Sequence, residues 1–298
     1  MALATLPDVT VPEALTPHRP HLERLLAQAR AKGPIGVAVA YPCDASALQA
    51  AVQAAEAGLI KPLLVGPRER IEAAAQSAGL DLLGTQIHHT ADDARQAASQ
   101  AAALCRDGQA MALMKGSLHS DDLLAAAVAR EAGLRTNRRA SHVFVMDVPA
   151  YDRPLLMTDC VVNIFPALLD KRDIAQNAIN LAHSIGIARP RVAILSAVET
   201  VNPAIPGTVD AAALCKMADR GQITGGILDG PLAYDNAISL SSATNNGIVS
   251  DVAGSPDVLL VPSLEAGNMI YKQLVYMANA ECAGLVLGMR VPIVLTSR

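Results

Sequence analysis

From Gly33 onward the chain alternates short aliphatic runs with longer alanine-rich segments of helical spacing, a pattern that fits repeated βαβ units. The first unit reads most clearly. Residues 37–41 form a buried strand, Asp44 an N-cap, 45–57 a helix ended by Gly58, and 62–65 the next strand. Right-handed crossover makes such strands parallel. Further strands are predicted at 110–114, 142–148, 155–164, 192–197, 225–229, 258–262, 284–288 and 292–296, and helices at 92–106, 121–132, 170–185, 210–218 and 266–280. The fold class is therefore α/β, and a chain of 298 residues is long enough for two domains, each with its own core.

Composition narrows the function. With 51% apolar and 17% charged residues, disorder and collagen are excluded. The aromatic set is Phe144, Phe165 and five tyrosines, with no tryptophan, which leaves few platforms for stacking bases. A net charge of −4 offers no basic face for a phosphate backbone, although a few arginines in one cleft would still serve a small anion. No nucleic-acid partner is expected. Cys43, Cys105, Cys160, Cys215 and Cys282 are scattered without a C-x-x-C pair and read as reduced thiols. Neither a signal peptide nor an apolar run of ~20 residues occurs, so a cytoplasmic protein without membrane contact is expected. Pro7, Pro12, Pro17 and Pro20 suit an extended tail or linker over 1–32. At the other end, a strand-like VPIVLT followed at once by Ser297-Arg298 leads to the expectation that further residues belong after it.

In open α/β sheets, ligands sit beyond the carboxyl ends of strands, which singles out four segments: MKGSLHSDD, LSAVETVNP, ILDGPLAYDN and VLTSR. In the first, Lys115 and Gly116 leave a strand, Ser117 and His119 follow, and Ser120 or Asp121 caps a helix whose free N–H groups suit a phosphate or carboxylate. An ordinary βα loop explains the same residues. Arg130, Arg135, Arg138 and Arg139 fall within ten residues, either as guanidinium forks for a polyanion or as a solvated turn. Ser196 and Glu199 follow one strand. Asp229 ends another, with Gly230, Asp235 and Asn236 soon after, where turn-making accounts for the glycine as well as function does. Walker, G-x-G-x-x-G, G-x-S-x-G and H-E-x-x-H motifs are missing, and no two aspartates stand four apart as metal ligands on one helix face. His88-His89 has no third ligand nearby, so no metal site is assigned.

The segments LMKGSLHSDDLL, GLRTNRRASHVFVMDVP, VAILSAVETVNPAIPGTVDAAALCKMADRGQITGGILDGPLAYDNAIS, VPSLEAGNMIYKQL and VPIVLTSR, in that order, resemble the phosphate acetyltransferase and phosphate butyryltransferase family from about Gly33 to Arg298, with the butyryl branch closer. Some members of that branch are fused behind an enoyl-CoA hydratase domain, which would make the proline-rich start a former linker. The resemblance implies reversible transfer of a short acyl group between coenzyme A and inorganic phosphate, with CoA as co-substrate and no tightly bound cofactor. It also implies a homodimer or higher homo-oligomer. The implied architecture is two α/β domains of three αβα layers with an interdomain cleft, in the class of isocitrate and isopropylmalate dehydrogenases. The first domain would take 33–139 plus 281–298, and the second 140–280.

By the same likeness, Ser297 would hydrogen-bond the CoA sulfur or the reacting carbonyl, and Arg298 would bind the transferring phosphate. Lys115, Gly116, Ser117, His119, Arg135, Ser196, Glu199, Asp229, Gly230, Asp235, Asn236 and Asn268 form the expected substrate-binding set. Acetyl-branch members use an aspartate shortly downstream of the Ser-Arg pair as thiol base, a position beyond Arg298. Two alternatives remain at this point: a metal- and NAD-dependent decarboxylating dehydrogenase of the same architecture, and a non-catalytic CoA-binding module.

Overall fold

A computed structural model describes residues 19–296. The chain runs through α1 (Pro20–Lys32), β1 (Ile35–Ala40), α2 (Ala45–Glu56), β2 (Ile60–Gly66), α3 (Arg68–Ala78), β3 (Gln86–His89), α4 (Ala94–Arg106), β4 (Ala112–Lys115) and α5 (Ser120–Val128). After a 3-10 turn at Arg130–Ala132 come β5 (Ser141–Asp147), β6 (Leu155–Thr158), α6 (Leu168–Ser184), β7 (Arg191–Leu195), α7 (Pro206–Asp219) and β8 (Ile227–Leu232). The chain closes with α8 (Tyr234–Ile238), α9 (Leu240–Asn245), β9 (Val258–Leu260), α10 (Leu264–Met277), β10 (Glu281–Leu287) and β11 (Ile293–Val294). No helix among the described residues is long and apolar enough to cross a membrane.

All these strands join one sheet in the order β3-β2-β1-β4-β11-β10-β5-β6-β9-β7-β8. The first five places are parallel, as are the last four. Between them, β10 and β5 pair antiparallel with each other and with their outer neighbours. The expected domain boundaries at 139/140 and 280/281 fall just before Ser141 and Glu281, where those two strands begin, and the sheet continues through them.

Helices cover both faces, because parallel strands need both sides buried. In β1 the alternation is direct. Val37 and Val39 join Leu48, Leu64 and Ile71 under α2 and α3, whereas Ala38 and Ala40 join Ala97, Ala98, Ala101 and Leu123 under α4 and α5. The second half repeats the arrangement. Val192 and Ile194 pack with Ile174, Ile179 and Leu214 of α6 and α7, and Ala193 and Leu195 pack toward the α8–α10 side. The alanine excess thus builds close helix-on-sheet contacts in a core with few aromatics.

Three expectations need correction. Residues 20–32 of the expected tail form α1, with Pro20 at the helix start where a missing N–H costs nothing; residues 1–18 lie outside the described residues. The buried Asp147 carboxylate accepts from His21 N at 2.7 Å and Leu22 N at 3.1 Å, so a side chain far along the sequence caps this helix. The strand expected at 155–164 ends at Thr158, since the Asp159 carboxylate gathers the N–H groups of Val161, Val162 and Asn163 into a turn. The helix expected from 121 starts at Ser120, with His119 rather than Ser120 or Asp121 as its N-cap.

Candidate active site

Strand directions sort the expected site residues. Because β10, β5 and β6 reverse direction in turn, β6, β9, β7 and β8 run opposite to β1, β2, β3, β4 and β11. The carboxyl ends of the two sets therefore leave along opposite long edges of the sheet.

At the first edge, Lys115, Gly116 and Ser117 leave β4 beside the exit of β1. Gly116 N donates to Ala40 O at 2.9 Å, Ser117 N to Tyr41 O at 2.7 Å, and Cys43 N to Ser117 Oγ at 2.9 Å. Gly116 is required here, since a Cβ would stand 2.2 Å from Ala40 O and 2.7 Å from Tyr41 O. Buried Lys115 donates from Nζ to Leu118 O at 3.2 Å, and Thr296 Oγ1 donates to Lys115 O at 3.2 Å. That bond ties the segment after β11 to the Lys115 loop. Ser297 and Arg298 come next in sequence and lie outside the described residues. His119 is exposed at the entry to α5.

Tyr41, Arg70 and Asp92, which sequence reasoning did not select, border the same loops. Arg70 Nη1 donates to Asp92 Oδ1 at 2.8 Å and to Tyr41 Oη at 2.6 Å, while Tyr41 donates to Asp92 Oδ1 at 2.5 Å. Burial pushes the Tyr41 phenol up to about 12, the Asp92 hydrogen bond adds to this, and the Arg70 charge opposes it. Tyr41 therefore stays a proton donor. Burial also raises every cysteine thiol, Cys43 and Cys105 to about 11 and Cys215 to about 12.

The remaining expected residues fall into other groups. Ser196, Glu199, Asp229, Gly230, Asp235 and Asn236 belong to β8 and to the exits of β7 and β8. Strand β8 stands seven places from β4, roughly 30 Å at ~4.8 Å per strand. Buried Asn236 donates to Glu199 Oε1 and accepts from Ser242 Oγ and Asn246 Nδ2, both at 2.8 Å; Ser242 Oγ also reaches Asp235 Oδ2 at 2.8 Å. Asp229 Oδ1 accepts from Gly230 N at 2.8 Å. Glu199, Asn236, Ser242, Asn246 and Asp235 thus form one polar network, on the side of the sheet far from the Lys115 group.

Between these extremes lies the seam. A cavity of about 420 Å³ is lined by Leu124, Ala125 and Val128 on α5, by Arg135, Arg138, Arg139 and Ala140, and by Val162 from the turn after β6. It shares Thr136, Arg138 and Met289 with a second cavity of about 370 Å³, which is lined with Asn137, Asn177, Asn180 and Ser184. Arg135 thus sits with Arg138 and Arg139 at the far end of α5 from Lys115. With the Asn180 amide turned to face it, Arg138 Nη1 donates to that side-chain oxygen at 2.7 Å. Asn268 on α10 donates to Cys160 O at 3.4 Å, behind the turn that carries Val162. Helix α5 connects the two ends, its nine residues spanning roughly 13 Å at 1.5 Å each. No three His, Cys, Asp or Glu residues cluster as metal ligands among the described residues.

The profile of the family described as "Phosphate acetyl/butaryl transferase" matches residues 86–298. A phosphate acetyltransferase from Rhizobium meliloti is 56% identical over 276 residues, covering 93% of this chain and 87% of that protein. A phosphate butyryltransferase from Clostridium acetobutylicum is 40% identical over 262 residues, covering 88% and 87%. These identities reverse the expectation of a closer butyryl branch. Among solved structures, a branched-chain phosphotransacylase from Enterococcus faecalis superposes with a TM-score of 0.77 at 28% identity, covering 88% of this chain and 92% of that one. A phosphotransacetylase from Streptococcus pyogenes gives 0.78 at 20% identity over 93% of each, a likeness of fold.

Proposed function

Because this chain belongs to the phosphate acetyl/butyryl transferase family, its reaction is the reversible transfer of an acyl group between coenzyme A and inorganic phosphate, and we propose that the transfer runs along α5, in the cleft where the two halves meet. The acyl and phosphate groups lie at the N-terminal end of α5, by Lys115, Gly116, Ser117 and His119, and the anionic end of CoA lies on Arg135, Arg138 and Arg139. The observation that supports this reading is the Thr296–Lys115 hydrogen bond, which ties the residue before Ser297 in sequence to the loop at the start of α5.

The chemistry requires few parts. A phosphate oxygen attacks the thioester carbonyl, an oxyanion develops, and CoA leaves as thiolate; in reverse, the thiolate attacks the acyl phosphate and phosphate departs. An ordinary thiol, with pKa near ~8.5, is mostly protonated at neutral pH, so nearby cations favour its ionised form. Backbone N–H groups at the helix start and the Arg298 guanidinium stabilise the developing charges, each such donor contributing ~3–4 kcal/mol. Ser297 orients the sulfur or the carbonyl. Asn268 supports the turn that closes the cleft from the second half, and the Glu199–Asn236–Asp235 network has a structural part. A cytoplasmic homo-oligomer that uses CoA as co-substrate, without a resident cofactor, completes the proposal.

The test is the rate of free-thiol release from acetyl-CoA and butyryl-CoA by purified protein with and without phosphate. Release that depends on phosphate is expected. Release that is absent, or equal without phosphate, would overturn the reading. The two acyl chains are compared because each methylene is worth only ~1–3 kcal/mol in a pocket.

A further inference from the structure

Asp159 closes β6 and is 3% exposed, yet among the described residues it forms no ion pair. Its carboxylate takes four donors instead: Val161 N and Val162 N at 2.9 Å on Oδ1, and Asn163 N at 3.1 Å and Asn163 Nδ2 at 2.6 Å on Oδ2. A buried carboxylate costs free energy to desolvate, and these four donors offset that cost. The consequence falls on Asn163, also 3% exposed. Its amide nitrogen spends both hydrogens, on Asp159 Oδ2 and on Ala140 O at 2.9 Å, so the amide cannot turn over without setting oxygen against oxygen. Asn163 Oδ1 is thereby aimed outward, and it accepts from Arg139 Nε at 2.8 Å.

Arg139 is anchored by Nε alone; Asp170 Oδ1 lies 3.9 Å from that same nitrogen, and the Arg139 backbone N donates to Asp173. Its two terminal amino groups have no partner among the described residues, and the side chain lines the cavity beside Arg135 and Arg138. Neither seam cavity is lined by an aspartate or glutamate. A guanidinium preset in this way presents a bidentate fork to a phosphate group without losing side-chain freedom on binding.

We propose that Asp159 and Asn163 are positioning residues: the buried carboxylate fixes the Asn163 amide, and Asn163 holds the Arg139 guanidinium in the seam cavity to receive the anionic end of CoA. The inference rests on the assignment of the α5 cleft to CoA. Asp159 acts through Asn163, and Asn163 through Arg139; neither touches the reacting atoms.

A double-mutant cycle tests it. CoA dissociation constants from calorimetry, and CoA KM and kcat in the thiol-acylating direction, are compared for wild type, Asn163→Ala, Arg139→Ala and the double variant. Asn163→Ala should raise the CoA Kd and KM roughly tenfold, the effect of one charge-assisted hydrogen bond, with kcat within about twofold. In the Arg139→Ala background it should add nothing, because the two residues act as one unit. An equal further rise in that background, or a fall in kcat with unchanged CoA affinity, would overturn the proposal. Arg139 is exposed, so Arg139→Ala keeps the fold whatever Asn163→Ala does, and an unchanged CoA Kd in that variant is by itself sufficient refutation. Wild type that binds CoA through Arg139 without phosphate-dependent turnover would fail the reaction and leave this inference standing. Turnover with CoA affinity indifferent to Arg139 would fail the inference alone, and a protein that does neither would sink both.

Discussion

Arg298→Ala is expected to lower phosphate-dependent turnover at least ~100-fold, the loss seen when one preorganised donor is removed from a developing negative charge. The residue follows Thr296 by two positions, and Thr296 is hydrogen-bonded to the Lys115 carbonyl at the start of the α5 loop. If the guanidinium binds the transferring phosphate, the phosphate KM should rise together with the fall in kcat. Arg298→Lys should recover only part of the rate, because an ammonium keeps the charge and loses the planar fork. Initial rates at several phosphate concentrations check this. Turnover unchanged in Arg298→Ala would remove the residue from the mechanism.

Gly116→Ala should be the most damaging single methyl in the first half. The added carbon would meet Ala40 O at 2.2 Å and Tyr41 C and O at 2.7 Å, all backbone atoms that cannot swing aside as a side chain can. Overpacking of this kind costs on the order of 3 kcal/mol, and at about 2–4 °C per kcal/mol the melting temperature should fall by roughly 6–12 °C. The loop carrying Lys115 and Ser117 must shift with it, and a displacement of ~1 Å at reacting groups can cost about 100-fold in rate. Gly207→Ala is the control. Its new carbon would lie 3.6 Å from Ser196 Oγ and 3.7 Å from Pro262 Cβ, ordinary contact distances, and should leave melting and turnover close to wild type. Calorimetric melts and rates at 25 °C decide the matter; a Gly116→Ala variant with wild-type stability would show that the β1 and β4 exits are not packed as described.

The parts of this molecule that could be read from its sequence are those governed by local chemistry. Asp44 caps α2 through Ala47 N at 2.8 Å, as a residue of its type before an alanine run should, and the Lys115–Gly116 turn falls where a strand feeds a helix. What escaped depends on partners distant in sequence. Helix α1 is capped by Asp147, so its own leading residues carry no cap signal and the nearby prolines dominate the reading. Helix α3 buries only Ile71 and Ala75, too few apolar positions to show a stripe. Asp159 and Asn163 fell inside an apparent strand, because Val161 and Val162 read as β while the carboxylate that turns them is a single residue.

The candidate site shows the same division. The strand ends before Gly116 and Ser196 were visible, whereas Asp229 and Gly230 lie inside β8 rather than at its end, and which ends meet depends on strand order and direction, which periodicity does not encode. Lys115 and Asp229 both read as strand-end residues, yet the order of the sheet sets them seven strands apart. Arg135 and Lys115, expected together, stand at opposite ends of α5, an arrangement that suits a ligand with a reactive end and an anionic end joined by a flexible arm. Nothing in the spacing of the two residues along the chain reveals that a helix separates them in this way.

Hydrogen exchange of the full chain with and without CoA and phosphate locates the substrates on the fold. Exchange should slow at both ends of α5, in residues 115–119 and 135–140, with residues 196–199 and 235–246 unchanged. Protection confined to 196–199 and 235–246, with both ends of α5 exchanging as in the free protein, would contradict that placement.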